Sequence, residues 1–214
     1  MNKLLNECTL CPRNCTVNRN NNELGFCNMG SDLIVARAAL HFWEEPIISG
    51  DNGSGTVFFS GCNLKCVFCQ NYNISTNNFG KKISIERLSE IFLELQQKGA
   101  NNINLVTPTH FVPQIIEALK IAKTKGLTIP IVYNSSGYEN IETKKLLDGY
   151  IDIYLPDFKY FDNKYAIKYS KCSNYFKYAS KSLEEMIKQV GTPKFDGKGT
   201  LIKGVIVRHM MLPG

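Results

Sequence analysis

The sequence predicts an α/β fold, a partial (β/α) barrel of parallel strands that follows a small cysteine-rich N-terminal segment. Apolar runs with strand character alternate with amphipathic helical stretches, a pattern typical of a parallel sheet with right-handed crossovers. Polar residues also collect at the carboxyl end of nearly every predicted strand, where barrel enzymes build their active sites. A doubly wound open sheet fits the alternation as well, and the polar strand ends favour the barrel.

The same pattern divides the chain into two parts. Residues 1–30 have little helical or strand periodicity and contain four cysteines, so we interpret them as a metal-binding segment. Residues 31–214 are the barrel domain, which begins with a mixed stretch ending at the turn sequence NGSG, residues 52–55. The length of 214 residues suits one domain with a small appendage.

Five strands are predicted from the apolar runs, at residues 56–61, 102–108, 130–136, 150–159 and 201–212. Parallel strands bring their carboxyl ends to one rim, so the polar side chains found there are candidate site residues. They are Cys62 after the first strand, Thr107, Thr109 and His110 after the second, Asn134, Ser135 and Ser136 after the third, Asp157 and Lys159 after the fourth, and Arg208 and His209 on the fifth.

Amphipathic helices are predicted between the strands. Residues 84–100 form one helix with Ser84 as its N-cap. Residues 113–126 form the next, with Pro113 in its first turn. Further helical patterns follow at residues 140–149 and 182–191.

Composition argues against nucleic-acid and membrane partners. The net charge of +6 is a mild excess, and its lysines are scattered among acidic residues as on a solvated helix face. No apolar run is long enough to span a bilayer, and the N-terminus lacks the apolar core of a signal peptide. Eight cysteines in a chain without an export signal indicate metal or redox chemistry in the cytoplasm rather than disulfides.

Three of the cysteines, Cys62, Cys66 and Cys69, have the spacing C-x3-C-x2-C directly after the first predicted strand. A structural zinc site closes with four ligands, and an iron–sulfur cubane normally takes one cysteine for each of its four irons. Three thiolates on one loop would leave one iron uncovered, so the site would be chemically open. The alternative is a zinc site whose fourth ligand comes from elsewhere, such as Cys172 or a histidine.

The N-terminal cysteines form a second group with enough ligands to close a site, namely Cys8, Cys11, Cys15 and Cys27. Zinc and a second iron–sulfur cluster are both possible occupants. The segment is too short to bury a core, so metal ligation would organise it and a structural role is expected. Arg13 and Arg19 would offset part of the anionic charge. We expect no ligand role for Cys172.

The cysteine trio, with Phe68 just before its last cysteine, resembles the signature of the radical S-adenosylmethionine (SAM) superfamily. Longer stretches are similar to uncharacterised relatives of the pyruvate formate-lyase activating enzyme, and the similarity covers nearly the whole chain. These stretches are GSGTVFFSGCNLKCVFCQNYNIS, NINLVTPTHF, PIVYNSSGYE, DIYLPDFKY, VIVRHMMLPG and the N-terminal CTLCPRNCTVNR.

The resemblance implies that Cys62, Cys66 and Cys69 hold a 4Fe-4S cluster and that SAM chelates its open iron. Reductive cleavage of SAM would give a 5′-deoxyadenosyl radical that abstracts a hydrogen atom from the substrate. Activation of a glycyl-radical enzyme is one candidate role, which makes a protein substrate a candidate partner. An electron donor such as flavodoxin or ferredoxin is also implied. The cofactors carry this chemistry, and the protein orients them.

The resemblance also implies contacts to the cofactor at the ends of successive strands. Phe68 would lie near the adenine. Thr107 to His110 stand where the activating enzymes have an acidic turn that holds the SAM amino group. In this chain a backbone carbonyl would accept the ammonium hydrogens there instead, and His110 is either a hydrogen-bonding partner or merely a rim histidine.

The remaining strand ends supply the rest of the implied site. Asn134, Ser135 and Ser136 resemble a family turn that contacts the cofactor. Asp157 would accept from the ribose hydroxyls, and Lys159 would pair with the methionyl carboxylate; a surface ion pair between the two is the alternative. Arg208, with Leu212-Pro213-Gly214, resembles a stretch near the substrate.

Two questions stay open at this level. The family architecture has a further helix and strand, so we expect a barrel that is truncated after its fifth strand, with an open edge that lowers stability or is covered by a partner. The alternative function is an iron–sulfur or zinc module for structure or electron transfer without SAM chemistry.

We interpret Trp43, Glu44 and Glu45, next to a proline, as a structural turn.

Overall fold

The computed structural model describes residues 3–211 and contains one mixed eight-stranded sheet with the order β3-β1-β2-β4-β5-β6-β8-β7. The strands are β1 (Leu33–His41), β2 (Ser54–Phe59), β3 (Lys81–Ile83), β4 (Ile103–Val106), β5 (Ile131–Ser135), β6 (Ile153–Pro156), β7 (Lys194–Phe195) and β8 (Leu201–Val205). Neighbouring pairs from β2 through β4, β5 and β6 to β8 are parallel. The five predicted strands and the partial barrel are therefore confirmed.

Eight α-helices lie in the described part of the chain, and most of the longer ones connect the parallel strands. They are α1 (Lys3–Asn6), α2 (Pro46–Ser49), α3 (Tyr72–Ser75), α4 (Ile85–Gln97), α5 (Val112–Thr124), α6 (Ile141–Leu146), α7 (Asn163–Ser170) and α8 (Tyr175–Val190), with 3-10 turns at Arg19–Asn21 and Thr109–Phe111. No helix among residues 3–211 is long and apolar enough to cross a membrane.

Helix α4 illustrates how local sequence sets these elements. The Ser84 hydroxyl accepts a hydrogen bond from the Arg87 amide at 3.1 Å and caps the helix as predicted. Leu88, Phe92 and Leu95 repeat at helical spacing and are fully or almost fully buried against the sheet. The same core continues through α5 and the outward faces of β2, β4 and β5.

Three strands were not predicted, and all of them pair antiparallel. Strand β1 joins β2 and β3, and β7 pairs with β8. β1 lies in the stretch that the sequence left as mixed, because its burial does not alternate regularly. β7 covers part of the outer edge of β8, so the edge expected to be open after the fifth predicted strand is partly paired.

The sheet curls around a second, smaller apolar cluster on its inner face. Ile48 of α2 packs there against Val132, Ile153 and Leu201. Just before α2, Glu44 reaches Arg208 beyond the end of β8, at 3.0 Å between Oε1 and Nη1. A contact between opposite halves of the sheet requires the curvature of a barrel.

The N-terminal segment packs on the outside of this barrel. The Thr143 hydroxyl donates to the Leu10 carbonyl at 2.8 Å, and Asn140 Nδ2 donates to the Thr9 carbonyl at 2.7 Å. Arg19 is completely buried, and its Nη1 donates to the His110 carbonyl at 2.6 Å. These hydrogen bonds fix the cysteine-rich segment to two separate parts of the domain.

Candidate functional site

A cavity of about 650 Å³ opens at the carboxyl ends of the parallel strands. Its walls include the loop after β2, the ends of β4, β5 and β6, and the segments that follow β1 and β8. The predicted site residues that line it are Cys62, Cys66, Phe68, Cys69, Thr107, Asn134, Ser135, Ser136, Asp157, Lys159 and Arg208. The cysteine trio and most of the predicted cofactor contacts therefore share one space.

Polar groups hold the sulfur atoms of the trio in place. The Leu64 amide donates to Cys62 Sγ at 3.4 Å, and the Ser170 hydroxyl donates to Cys66 Sγ at 2.9 Å. Donors to sulfur stabilise the thiolate form that binds metals. The loop is thus built to support charged sulfur at these positions.

Burial opposes that charge while no metal is bound. Removal from water is the largest cause that raises the pKa of Cys62 to about 12, and it also raises the pKa of Cys66. The thiol of Cys69 raises both values further, while the hydrogen bonds to sulfur act in the opposite direction. Metal binding must therefore release protons, so metal affinity falls as the pH falls.

Helix α7, which the sequence patterns did not predict, supports the middle of the cysteine loop. The amides of Lys65 and Val67 donate to the carbonyls of Ser170 and Tyr169 at 3.1 and 2.9 Å. The Ser170 hydroxyl also lies 2.6 Å from the Tyr160 hydroxyl. The end of α7 therefore fixes both the backbone and one sulfur of the trio.

Arg208 is the centre of a hydrogen-bond network that crosses the cavity. Its Nε donates to Asp157 Oδ1 at 2.9 Å, its Nη1 to Glu44 Oε1 at 3.0 Å and its Nη2 to Asn134 Oδ1 at 2.7 Å. Glu44 Oε2 accepts from Asn134 and Asn104 at 3.2 and 2.9 Å. Each guanidinium nitrogen thus has an acceptor, and through Glu44 the network also reaches Asn104 of β4.

Asp157 and Lys159 form an ion pair at 2.6 Å inside the same network. Their side chains are only 22% and 11% exposed, and Asp157 also accepts from Arg208. A solvated surface pair would lack both features. Lys159 Nζ also lies 5.8 Å from the centre of the Phe68 ring, which connects the pair to the cysteine loop.

Sequence comparison assigns the chain that forms this cavity to a family. A profile of the Radical SAM superfamily matches residues 56–213, which include the cysteine trio and all the parallel strands apart from the start of β2. The chain belongs to the radical SAM superfamily. It is also 34% identical over 221 aligned residues to "Uncharacterized protein MJ0674" of Methanocaldococcus jannaschii, across 98% of this chain. The alignment covers 58% of that protein, so the chain spans little more than half the length of this relative.

Membership of the radical SAM superfamily implies a 4Fe-4S cluster and SAM as cofactors. The cysteine trio, the only cysteines among residues 3–211 that line the cavity, has the donor type that iron–sulfur clusters require.

The second parallel strand of the radical SAM domain ends in strained backbone. Thr107 has φ +58, a conformation that is unusual for a β-branched residue and costs on the order of 1–3 kcal/mol. Its amide donates to the Asn134 carbonyl at 2.9 Å, and the residue lines the cavity. This strain lies at the strand end that was predicted to hold the SAM amino group.

Two predicted contacts of the radical SAM site lie elsewhere. Thr109 is buried, and its hydroxyl donates to Glu139 Oε1 at 2.5 Å. His110 is also buried, with Nε2 2.7 Å from the Ser60 carbonyl oxygen. The Thr109–Phe111 turn directs both side chains into the protein core, so neither lines the cavity and we remove both from the set of SAM contacts.

The N-terminal cysteines lie outside the residues matched to the radical SAM profile, yet they form one neighbourhood. Burial is the largest cause that raises the pKa of Cys11 to about 12, and the thiols of Cys27, Cys8 and Cys15 raise it further. The guanidinium of the fully buried Arg19 lowers the pKa of Cys27 in opposition to burial. The predicted role of Arg19 in offsetting anionic charge agrees with this position.

The spacing of the thiols bears on what they can hold. Among residues 3–211, no three His, Cys, Asp or Glu side chains are close enough together to hold a single metal ion. The cluster at the trio and the second metal site at the N-terminal cysteines stay predictions.

Glu44, which lines the radical SAM cavity, and Asn63, which belongs to the cysteine loop beside it, were not predicted as site residues. Glu44 was interpreted as part of a structural turn, whereas it pairs with Arg208 in the cavity. Asn63 joins three segments, since its Nδ2 donates to the Tyr138 carbonyl at 2.7 Å and its own carbonyl accepts from Arg13 at 2.9 Å. The acidic pair beside a proline was the available signal for Glu44, and no local pattern marks Asn63.

Proposed function

We propose that this chain uses SAM and a 4Fe-4S cluster, held by Cys62, Cys66 and Cys69, to abstract a hydrogen atom from a substrate through the 5′-deoxyadenosyl radical. The observation that carries the proposal is one cavity lined by three thiols together with the polar ends of parallel strands. Three thiolates leave one iron of a cubane without a protein ligand, and that iron is where SAM would bind. A zinc or electron-transfer site with four protein ligands would not require such a cavity.

The polar groups of the cavity have free capacity for SAM. Lys159 uses one of its three donors on Asp157, which leaves donors for the methionyl carboxylate. Each oxygen of Asp157 accepts one hydrogen bond, so each retains a lone pair for a ribose hydroxyl. We assign Phe68 to the adenine side and the backbone of Thr107 to the ammonium group.

The end of β5 completes this assignment. Asn134 is bound by Arg208 and Glu44, which hold its amide plane fixed. The Ser136 hydroxyl donates to Asn63 Oδ1 at 3.3 Å, next to the cysteine loop. We therefore propose that Asn134, Ser135 and Ser136 position SAM, and that Arg208 keeps the network rigid beside the substrate. Leu212-Pro213-Gly214, predicted to lie near the substrate, falls outside the described residues.

The same proposal includes an electron donor and a substrate. A flavodoxin or ferredoxin is the proposed donor, and Val67, 71% exposed between two trio cysteines, offers an apolar point of approach. A glycyl residue of a partner protein is the candidate hydrogen donor that the resemblance to activating enzymes supports. The cysteine usage supports the cytoplasm as the location.

The N-terminal group is proposed as a second metal site, for zinc or for a second iron–sulfur cluster. Cys8 and Cys27 are each only 8% exposed, and the buried Arg19 guanidinium lies 4.0 Å from Cys8 Sγ. An enclosed site beside a fixed positive charge suits a set of anionic thiolates. Because this segment bonds to several parts of the domain, its metal would stabilise the cysteine loop as well.

Release of 5′-deoxyadenosine tests the main proposal. Reduced, anaerobically reconstituted protein should convert SAM to 5′-deoxyadenosine, and Cys66→Ala should abolish the product. Cys172→Ala is the matched control, since it removes a cysteine that is buried but does not line the cavity. Wild-type protein with full iron occupancy that releases no 5′-deoxyadenosine would exclude the proposed activity and favour the module without SAM chemistry.

Metal and sulfide counting tests the second site. About four irons per chain indicate one cluster, and about eight indicate that the N-terminal group holds another. Cys11→Ala should lower the count of whichever metal that group binds and leave the iron of the trio in place. A wild-type protein that retains about four irons and no zinc would contradict a second metal site.

A further inference from the structure

Strand β1 contains a bulge that changes which face its side chains occupy. Val35 lies opposite Phe59 on β2, but Arg37, two residues later, lies opposite Phe58, so Ala36 is an extra residue. Directly opposed residues of an antiparallel pair share a face of the sheet, and a shift of one residue moves a side chain to the other face. Without the bulge, Arg37 would share the face of Val35, which belongs to the outer core.

The bulge therefore places Arg37 on the face of the sheet that borders the cavity, where it lines the cavity as an exposed residue. The antiparallel pairing of β1 with β2 also determines where Arg37 lies along the barrel axis. Arg37 pairs with Phe58 near the carboxyl end of β2, four residues before Cys62. Arg37 thus lies at the rim where the cysteine loop begins.

The charges of the cavity leave this arginine uncompensated. Lys159 and Arg208 are both ion-paired within the cavity, and the carboxylates that pair with them are those of Glu44, Glu45 and Asp157. Among residues 3–211, no side chain makes a hydrogen bond, an ion pair or a ring contact with the Arg37 guanidinium. Each carboxylate of the cavity is thus already matched, and Arg37 is the one cation in the described lining without a partner.

The surroundings of Arg37 leave room for a ligand. Along the same face of β1, Ala39 has only a methyl group, and His41 follows with its ring 6.5 Å from the Phe58 ring in an edge-on contact. Both His41 and Phe58 line the cavity. The wall therefore offers a planar cation, a small gap and an aromatic surface.

We propose that Arg37 binds an anionic group of the substrate, a carboxylate or a phosphate, at the rim of the cavity. A guanidinium presents a planar set of donors that matches either group with two parallel hydrogen bonds. This inference rests on the proposed function for the identity of the bound molecule as a substrate. The binding of an anion at Arg37 stands on the bulge and the charge arrangement alone.

Trp43 provides the reporter for a direct test, because it is the single tryptophan of the chain and lines the same cavity. Its fluorescence is followed while sodium acetate or sodium phosphate is added to the full chain, with sodium chloride at equal ionic strength as the reference. The wild type should give a saturable change with acetate or with phosphate, and the more effective of the two identifies the class of anion.

Variants locate the site of binding. Arg37→Gln should weaken the effective anion by about tenfold or more, and Arg37→Lys, which keeps the charge but loses the fork, should give an intermediate affinity. Arg87→Gln is the matched control, since it removes an arginine charge from the exposed face of α4 and should leave the affinity unchanged. Equal affinity in wild type and Arg37→Gln, or an equal loss in Arg87→Gln, would overturn the proposal.

Two further outcomes distinguish anion binding at Arg37 from the proposed cleavage of SAM. A wild type without any saturable change beyond chloride contradicts anion binding, whether or not SAM is cleaved. Displacement of the anion by SAM from reconstituted protein would place Arg37 in the cofactor site and overturn its assignment to the substrate. Since the titration requires neither cluster nor SAM, a failure of SAM cleavage leaves its result intact.

Discussion

Acidification should destabilise this protein through His110. The side chain is 2% exposed, and its Nε2 lies 2.7 Å from the Ser60 carbonyl oxygen, so the neutral ring donates there. Its Nδ1 is buried without a partner among the described residues. Burial, and then the charge of Arg19, lower the pKa of His110 from 6.5 to about 3. A proton on Nδ1 would have no acceptor.

The size of the effect follows from this pKa. The unfolded chain takes up the proton near pH 6.5 and the native chain only near pH 3, so stability is lost as the pH falls through that window. At 1.36 kcal/mol for each unit of pH, the loss is roughly 2 kcal/mol at about pH 5. It would reach about 5 kcal/mol below pH 3.

Urea unfolding of the cluster-free chain at neutral pH and at about pH 5 measures this loss. His110→Gln is the comparison, because glutamine keeps a donor for the Ser60 carbonyl and cannot take up the proton. The two proteins share their other titrating groups, so these cancel in the difference. The wild type should lose about 2 kcal/mol more than the variant. The same loss in both proteins would refute a neutral, buried His110.

Substitutions at Gly61 and Lys144, each with a comparison variant, test a close backbone contact and a buried ion pair. Gly61→Ala should lower the unfolding free energy by about 2 kcal/mol or more, because φ is +81 and the added Cβ would lie 2.7 Å from the Cys27 carbonyl oxygen. Gly126→Ala, at φ +98 in open space, should lower the unfolding free energy by only about 1 kcal/mol. Equal urea midpoints for Gly61→Ala and Gly126→Ala would contradict the role of the close contact at Gly61. Lys144→Met should lower the unfolding free energy by about 3–5 kcal/mol by leaving its fully buried partner Glu139 unpaired, and adding Glu139→Gln should restore most of the loss. No recovery in the double variant would mean that the ion pair does not explain the effect.

Much of the fold could be predicted because its signals are local. The parallel strands are continuous apolar runs, and Ser84 marks the start of α4 within three residues of the amide it caps. The cysteine trio is equally local, since its spacing alone sets the number of ligands on one loop. Its place in a cavity followed from the polar residues at strand ends, and eight of the ten predicted cofactor contacts line that cavity.

The rest depends on contacts between distant parts of the chain. Glu44 meets Arg208 across 164 positions, and Ser170 meets Cys66 across 104. His110 carried the expected polar character, but a single 3-10 turn directed it into the core. The bulge that aims Arg37 depends on the register of β1 against β2, which side-chain alternation within β1 does not reveal.

The central claim is that one iron of the trio's cluster lacks a protein ligand and binds SAM. Electron paramagnetic resonance of the reduced, reconstituted Cys11→Ala protein, recorded with and without SAM, tests it most directly, since that variant removes signals from a second cluster. We predict that SAM changes the spectrum of the remaining cluster and that S-adenosylhomocysteine, without the sulfonium charge, changes it differently. A reduced cluster whose spectrum is the same with and without SAM would contradict the claim.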